Sequence, residues 1–146
     1  QEGPKGLFSL PLCFLEMIRQ KLSDGFLERA FSPATPHEER LRMTETKNKN
    51  LMYVCQFFYS NFEWATRLEW ETISSPTLII QGDDDAITAP AHARALFDDV
   101  LSKSHPGSSY VGIPDGGHQV MMEKPKLCEK ALRDWLETTC GIGLIC

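Results

Sequence analysis

The sequence predicts an α/β chain, with a helical first half followed by two parallel strand-helix units. Three observations predict it. Residues 7–73 repeat apolar side chains at helical spacing. From Pro76 onward, short β-branched runs alternate with amphipathic stretches, and each run ends in a loop rich in Gly and Asp. The change of character falls near Ser74 and Ser75. The expected organisation is therefore a helical region over 1–74, a strand-helix part over 75–140 and a short tail at 141–146.

The elements follow in chain order. LPLCFLEMIRQKLSDGFLERAF sets Leu15, Ile18, Leu22, Phe26 and Ala30 on one helical face, with Gly25 as the expected break. SPATPHEERLRM punctuates the chain with prolines before a polar stretch. LMYVCQFFYSNFEWATRL then resumes the helical period, and its spacing puts Leu51, Val54, Phe58 and Phe62 on one side. PTLIIQG is short, β-branched and nearly all apolar, as a strand covered on both faces should be. AHARALFDDVL reads as an amphipathic helix opened by Pro90, since a missing N–H costs nothing in a first turn. SSYVGI is the second strand, and PKLCEKALRDWLETT is the second helix of this part, with Pro125 in the same opening position.

Composition excludes several classes. With 42% hydrophobic and 24% charged residues the chain has ordinary globular composition. A net charge of -5 without any basic run argues against a nucleic-acid partner. Apolar runs such as LFSLPLCFL fall short of the roughly 20 residues of a membrane span, and Glu2 and Pro4 ahead of Lys5 do not form a signal-peptide layout. The five cysteines, Cys13, Cys55, Cys128, Cys140 and Cys146, contain no C-x-x-C and no histidine at ligand spacing. They read as reduced thiols, which favours a reducing, cytoplasmic compartment; no metal and no cofactor is expected.

The chemistry is expected in two loops, GDDDAITAP and PDGGHQVMMEKP, each just past the C-terminal end of a strand. Ligands of open parallel sheets bind at that edge, and adjacent strands lie only about 4.8 Å apart. A carboxylate of the first loop can therefore meet His118 of the second. A carboxylate that accepts one ring N–H fixes the tautomer and leaves the other nitrogen free as a general base. Glycines before His118 are expected to let the backbone turn sharply and to leave the imidazole uncrowded. The rival readings are weaker. The D-x-D-x-D-G calcium pattern is not met, and the spacing of Asp83 and Asp85 lacks the context of aspartate phosphoryl-transfer enzymes. His37, His92 and His105 are expected at the surface, Met121 and Met122 in packing, and Glu123 as an acid favoured by a helix dipole.

SPTLIIQGDDDAIT and GGHQVMMEKP resemble the acid-bearing and histidine-bearing stretches of the α/β-hydrolase fold family. The resemblance covers 76–138 and implies that Asp85 takes the acid position and His118 the base position of a catalytic triad. Ala89 stands where the family usually has proline, with Pro90 one residue later, which keeps Asp84 as an alternative acid. The helical first half is similar to the cap that many members carry. In this family the nucleophile sits on a G-x-S-x-G turn, and the 146 residues contain none. GLFSL has the wrong spacing and GSSYV precedes a strand, so neither Ser9 nor Ser109 fits the role. The resemblance thus implies the C-terminal portion of a serine hydrolase of esterase or lipase type. A small apolar ester or lipid-like substrate is implied, with Phe57, Phe58, Tyr59, Phe62 and Trp64 as possible pocket or core aromatics. Two alternatives stay open. One is an inactive remnant that binds a partner. The other is an epoxide hydrolase-like fragment in which Tyr53 or Tyr59 serves as a cap acid.

Overall fold

The computed structural model describes residues 5–44 and 51–141. Apart from Gly141, the tail expected at 141–146 lies outside the described residues, as does Cys146. The chain divides into two compact units. One comprises Gln1–Glu28 and His37–Ala65, the other Arg29–Pro36 and Thr66–Cys146.

The first unit is helical: α1 (Lys5–Phe8), α2 (Leu12–Met17), most of α3 (Arg19–Ala30), α4 (His37–Thr44) and α5 (Met52–Asn61). Its core is Phe8, Leu15 and Met52, with Leu10, Ile18, Leu22, Cys55 and Tyr59 packed around them. The rings of Phe8 and Tyr59 stack at 4.6 Å. The Gln56 amide donates to the carbonyls of Phe8 (3.1 Å), the last residue of α1, and of Leu10 (2.7 Å), just beyond it.

Two sequence expectations are corrected here. Gly25 does not break its helix; α3 runs through it, and the interruption falls at Ile18. A glycine costs a helix only about 1 kcal/mol relative to alanine, which neighbouring turns can carry. The buried face of α5 is Met52, Cys55 and Tyr59, while Leu51, Val54 and Phe58 are about half exposed. A helix apolar on several sides supports more than one stripe at the same period, and only its neighbours select which is buried.

The second unit holds α6 (Arg67–Glu71), β1 (Leu78–Gly82), α7 (Pro90–Leu96), β2 (Ser109–Ile113), α9 (Val120–Glu123) and α10 (Pro125–Cys140). A π-helical turn, Phe97–Leu101, carries α7 into the three-residue α8 (Ser102–Ser104) and buries Val100 and Leu101. Thr66 and Glu69 close a reciprocal capping box at the start of α6. β1 and β2 pair in parallel, from Leu78 opposite Ser109 to Gly82 opposite Ile113. Both strands are half-buried along most of their length, so the double coverage expected for PTLIIQG is only partial among the described residues. Ile113, Val120 and Cys128 form the core, with Ile80 and Val111 against it. The indole N–H of Trp135 donates to the Gly107 carbonyl at 2.8 Å and ties α10 to the turn before β2.

Met121 and Met122, expected in packing, are 72% and 44% exposed. The short α9 turns a single apolar residue inward, and that residue is Val120. His37 and His92 are exposed, but His105 is half-buried, and its Nδ1 is buried without a hydrogen-bond partner among the described residues.

Candidate active site

The parallel register sets the C-terminal ends of β1 and β2, Gly82 and Ile113, side by side, so the loops after them leave the sheet as neighbours. They are stitched together: the Asp83 N–H donates to the Ile113 carbonyl (3.0 Å) and the Asp84 N–H to the Gly116 carbonyl (2.8 Å). This close approach requires glycine. A Cβ on Gly82 would lie 2.3 Å from the carbonyl oxygens of Gly116 and Gly117, and one on Gly117 would lie 2.5 Å from the Ser32 nitrogen. The reason for glycine before the histidine thus differs from the expected sharp turn. The left-handed residue of this loop is Asp115, with φ of 52°, and the glycines serve proximity.

Across these loops, Nδ1 of His118 stands 2.9 Å from Oδ2 of Asp85. Asp85 is buried, and its carboxylate is filled with donors. Oδ1 accepts the backbone N–H groups of Ile87 and Thr88, each at 2.8 Å, and Oδ2 also accepts the Gln81 amide at 2.7 Å. Burial alone would push this carboxyl's pKa up. Hydrogen bonds from the Thr88 N–H, His118 and the Ile87 N–H outweigh that and hold it below the usual carboxylate range. An ionised carboxylate has no proton to give, so the proton between the two side chains sits on Nδ1. Nε2 is the ring nitrogen that Asp85 leaves free. The His118 side chain is 35% exposed.

The neighbouring aspartates make other contacts. Asp84 Oδ2 accepts the hydroxyl of the buried Ser32 at 2.6 Å. Asp83 lies with its carboxylate against Gly112. Ser9 donates to the Gly6 carbonyl in the first unit, and Ser109 opens β2, at the end opposite the loop that carries His118. Tyr59 is occupied in the helical core, and Tyr53 is exposed. Among the described residues, no group of His, Cys, Asp and Glu is arranged to hold a metal ion, and no helix is long and apolar enough to cross a membrane.

Sequence reasoning missed the residues around the histidine. Glu123 is the last residue of α9 and is taken up by three donors. Oε1 accepts the Ser32 N–H (2.8 Å) and the Thr35 hydroxyl (2.6 Å), and Oε2 accepts the Gly117 N–H (2.7 Å). It is not merely an acid beside a helix dipole. The one local signal was Glu123 five residues after His118 in GGHQVMMEKP; nothing local pointed to Ser32 or Thr35, which lie about 90 residues away.

The sequence model of the alpha/beta hydrolase fold matches residues 15–125, most of the chain. The chain belongs to the α/β-hydrolase fold family. Among solved structures, a thermophilic esterase is 25% identical over 88% of this chain and 50% of its own, with a TM-score of 0.67. A protein described as an N-acyl homoserine lactone degrading enzyme is 21% identical, over 90% of this chain and 54% of its own, with a TM-score of 0.49. This chain of the α/β-hydrolase fold family thus spans about half the length of the solved structures it matches. No curated protein matches it.

Proposed function

We propose that this chain is the C-terminal part of a serine hydrolase of esterase type, in which Asp85 is the triad acid and His118 the general base. The observation that carries the reading is the 2.9 Å contact between His118 Nδ1 and an Asp85 carboxylate already held by backbone donors. Such a pair fixes the ring and leaves Nε2 to take a proton from a hydroxyl nucleophile, then return it to the leaving alcohol. Asp85 stays ionised throughout and stabilises the imidazolium that forms. The nucleophile is a serine of the same protein outside these 146 residues, since no G-x-S-x-G occurs within them. A small apolar or lipid-like ester is the substrate; the likeness to a thermophilic esterase supports the ester class.

Turnover of p-nitrophenyl butyrate tests the reading on two lengths of protein. The 146-residue chain should show no turnover above a His118→Ala control. A protein extended toward its N-terminus should be active, be inactivated by a serine-directed phosphonate, and lose at least about a thousandfold in kcat on His118→Ala. An extended protein that ignores esters but opens epoxides, or that turns over neither, would overturn the reading. Activity in the short chain that His118→Ala abolishes would place the nucleophile within it.

A further inference from the structure

His118 is held through the backbone on both of its sides. The residue before it, Gly117, gives its N–H to Glu123 Oε2 (2.7 Å); the residue after it, Gln119, gives its N–H to the Ala30 carbonyl (2.9 Å). Both restraints lead to the same short stretch. Glu123 Oε1 accepts from Ser32 and Thr35, and the Ser32 hydroxyl continues to Asp84, in the loop that carries Asp85. The backbone of Phe31 and Ser32 lies so close to Gly117 that a Cβ there would meet it at 2.5–2.8 Å. Residues 30–35 are therefore wedged between the two loops, and one carboxylate locks the wedge to the histidine loop.

Only a carboxylate suits that position. Its partners are two backbone N–H groups and a hydroxyl, and a carboxylate offers acceptors on both oxygens. A glutamine of the same shape would present its NH₂ to either the Gly117 or the Ser32 N–H, whichever way the amide turned. We propose that Glu123 is a positioning residue for His118: by fixing Gly117 against Ser32 and Thr35 it holds the imidazole with Nδ1 toward Asp85. The inference rests on the reading of His118 as a base oriented by Asp85, and it adds a second carboxylate that acts on the histidine's backbone and not on its ring.

The test is nuclear magnetic resonance of the 146-residue chain labelled with ¹⁵N-histidine, read at the His118 ring. In the unmodified chain the ring should be the Nδ1–H tautomer with a slowly exchanging low-field proton, and Asp85→Ala should abolish that signal. In Glu123→Gln and Glu123→Ala, exchange of the Nδ1 proton should accelerate by at least about tenfold, the factor that loss of one buried hydrogen bond implies. Thr35→Val leaves the Gly117 bond in place and should change it less than about threefold. The Trp135 indole N–H, bonded to Gly107, reports that the fold persists. Unchanged His118 exchange in Glu123→Gln with Trp135 intact would overturn the positioning role while leaving the Asp85 pairing standing. Absence of the Nδ1–H signal in the unmodified chain would overturn both. Amide exchange supplies a measurement without substitution: an unprotected Gly117 N–H in the unmodified chain would overturn the proposal.

Discussion

Asp85 meets His118 through the oxygen that also accepts the Gln81 amide, while its other oxygen accepts two backbone N–H groups of its own loop. One carboxylate thus organises its loop and orients the ring. The two functions separate on substitution. Asp85→Ala strands the Ile87 and Thr88 N–H groups and should destabilise the chain by about 2–4 kcal/mol, since a buried donor without an acceptor costs about 1–3 kcal/mol. Asp85→Asn keeps one acceptor and should cost less in stability. In an active, extended protein it should still lower kcat by about 10⁴, as expected when the carboxylate no longer selects the tautomer. Urea unfolding and ester turnover of the two variants check the separation.

The depressed pKa of Asp85 sets the direction of a pH effect. The folded carboxyl binds its proton less readily than the unfolded one, whose value is about 3.9. Its contribution is therefore fully present well above that value, and is lost as the pH falls through the lower folded value. The urea midpoint should drop between pH 6 and pH 3, and the drop should be smaller in Asp85→Asn. Equal drops in the two proteins would assign the acid sensitivity to other groups.

Gly82 should tolerate no side chain. A Cβ would fall 2.3 Å from the carbonyl oxygens of Gly116 and Gly117, both backbone atoms that cannot swing aside. Gly82→Ala should cost about 3 kcal/mol, at the upper end for overpacking. Gly25→Ala in α3, where nothing among the described residues lies within 4 Å of the added Cβ, should stabilise by up to about 1 kcal/mol. Thermal or urea melts of the pair give the contrast directly.

The thiols should differ in reactivity. Burial pushes the Cys128 thiol up, and its sulfur lies in the core with Ile113 and Val120, whereas Cys13 is exposed on α2. Alkylation by iodoacetamide at pH 8 should modify Cys13 before Cys128, with Cys128 at least about tenfold slower because its thiolate is scarce and shielded. Peptide mass mapping over time reads the order, and early modification of Cys128 would contradict the packing of this core.

The sequence by itself determined the elements whose causes are local. The β-branched runs before Gly82 and Pro114 became β1 and β2, Pro90 and Pro125 open the helices after them, and the two loops follow the C-terminal strand ends. The pairing of a GDDDAIT carboxylate with His118 was legible too, because parallel neighbours leave their loops side by side. What only the tertiary structure decided were the choices between locally equal options and the contacts between distant segments. Periodicity could not say that α5 buries Met52, Cys55 and Tyr59, since packing partners and not the helix select a face. Nor could any local pattern say that Ser32 and Thr35 would reach Glu123 across about 90 residues, or that Gly82 and Gly117 were needed for close approach. Those contacts arise between segments remote in the chain, and their energy exists only once the loops have been brought together by the sheet.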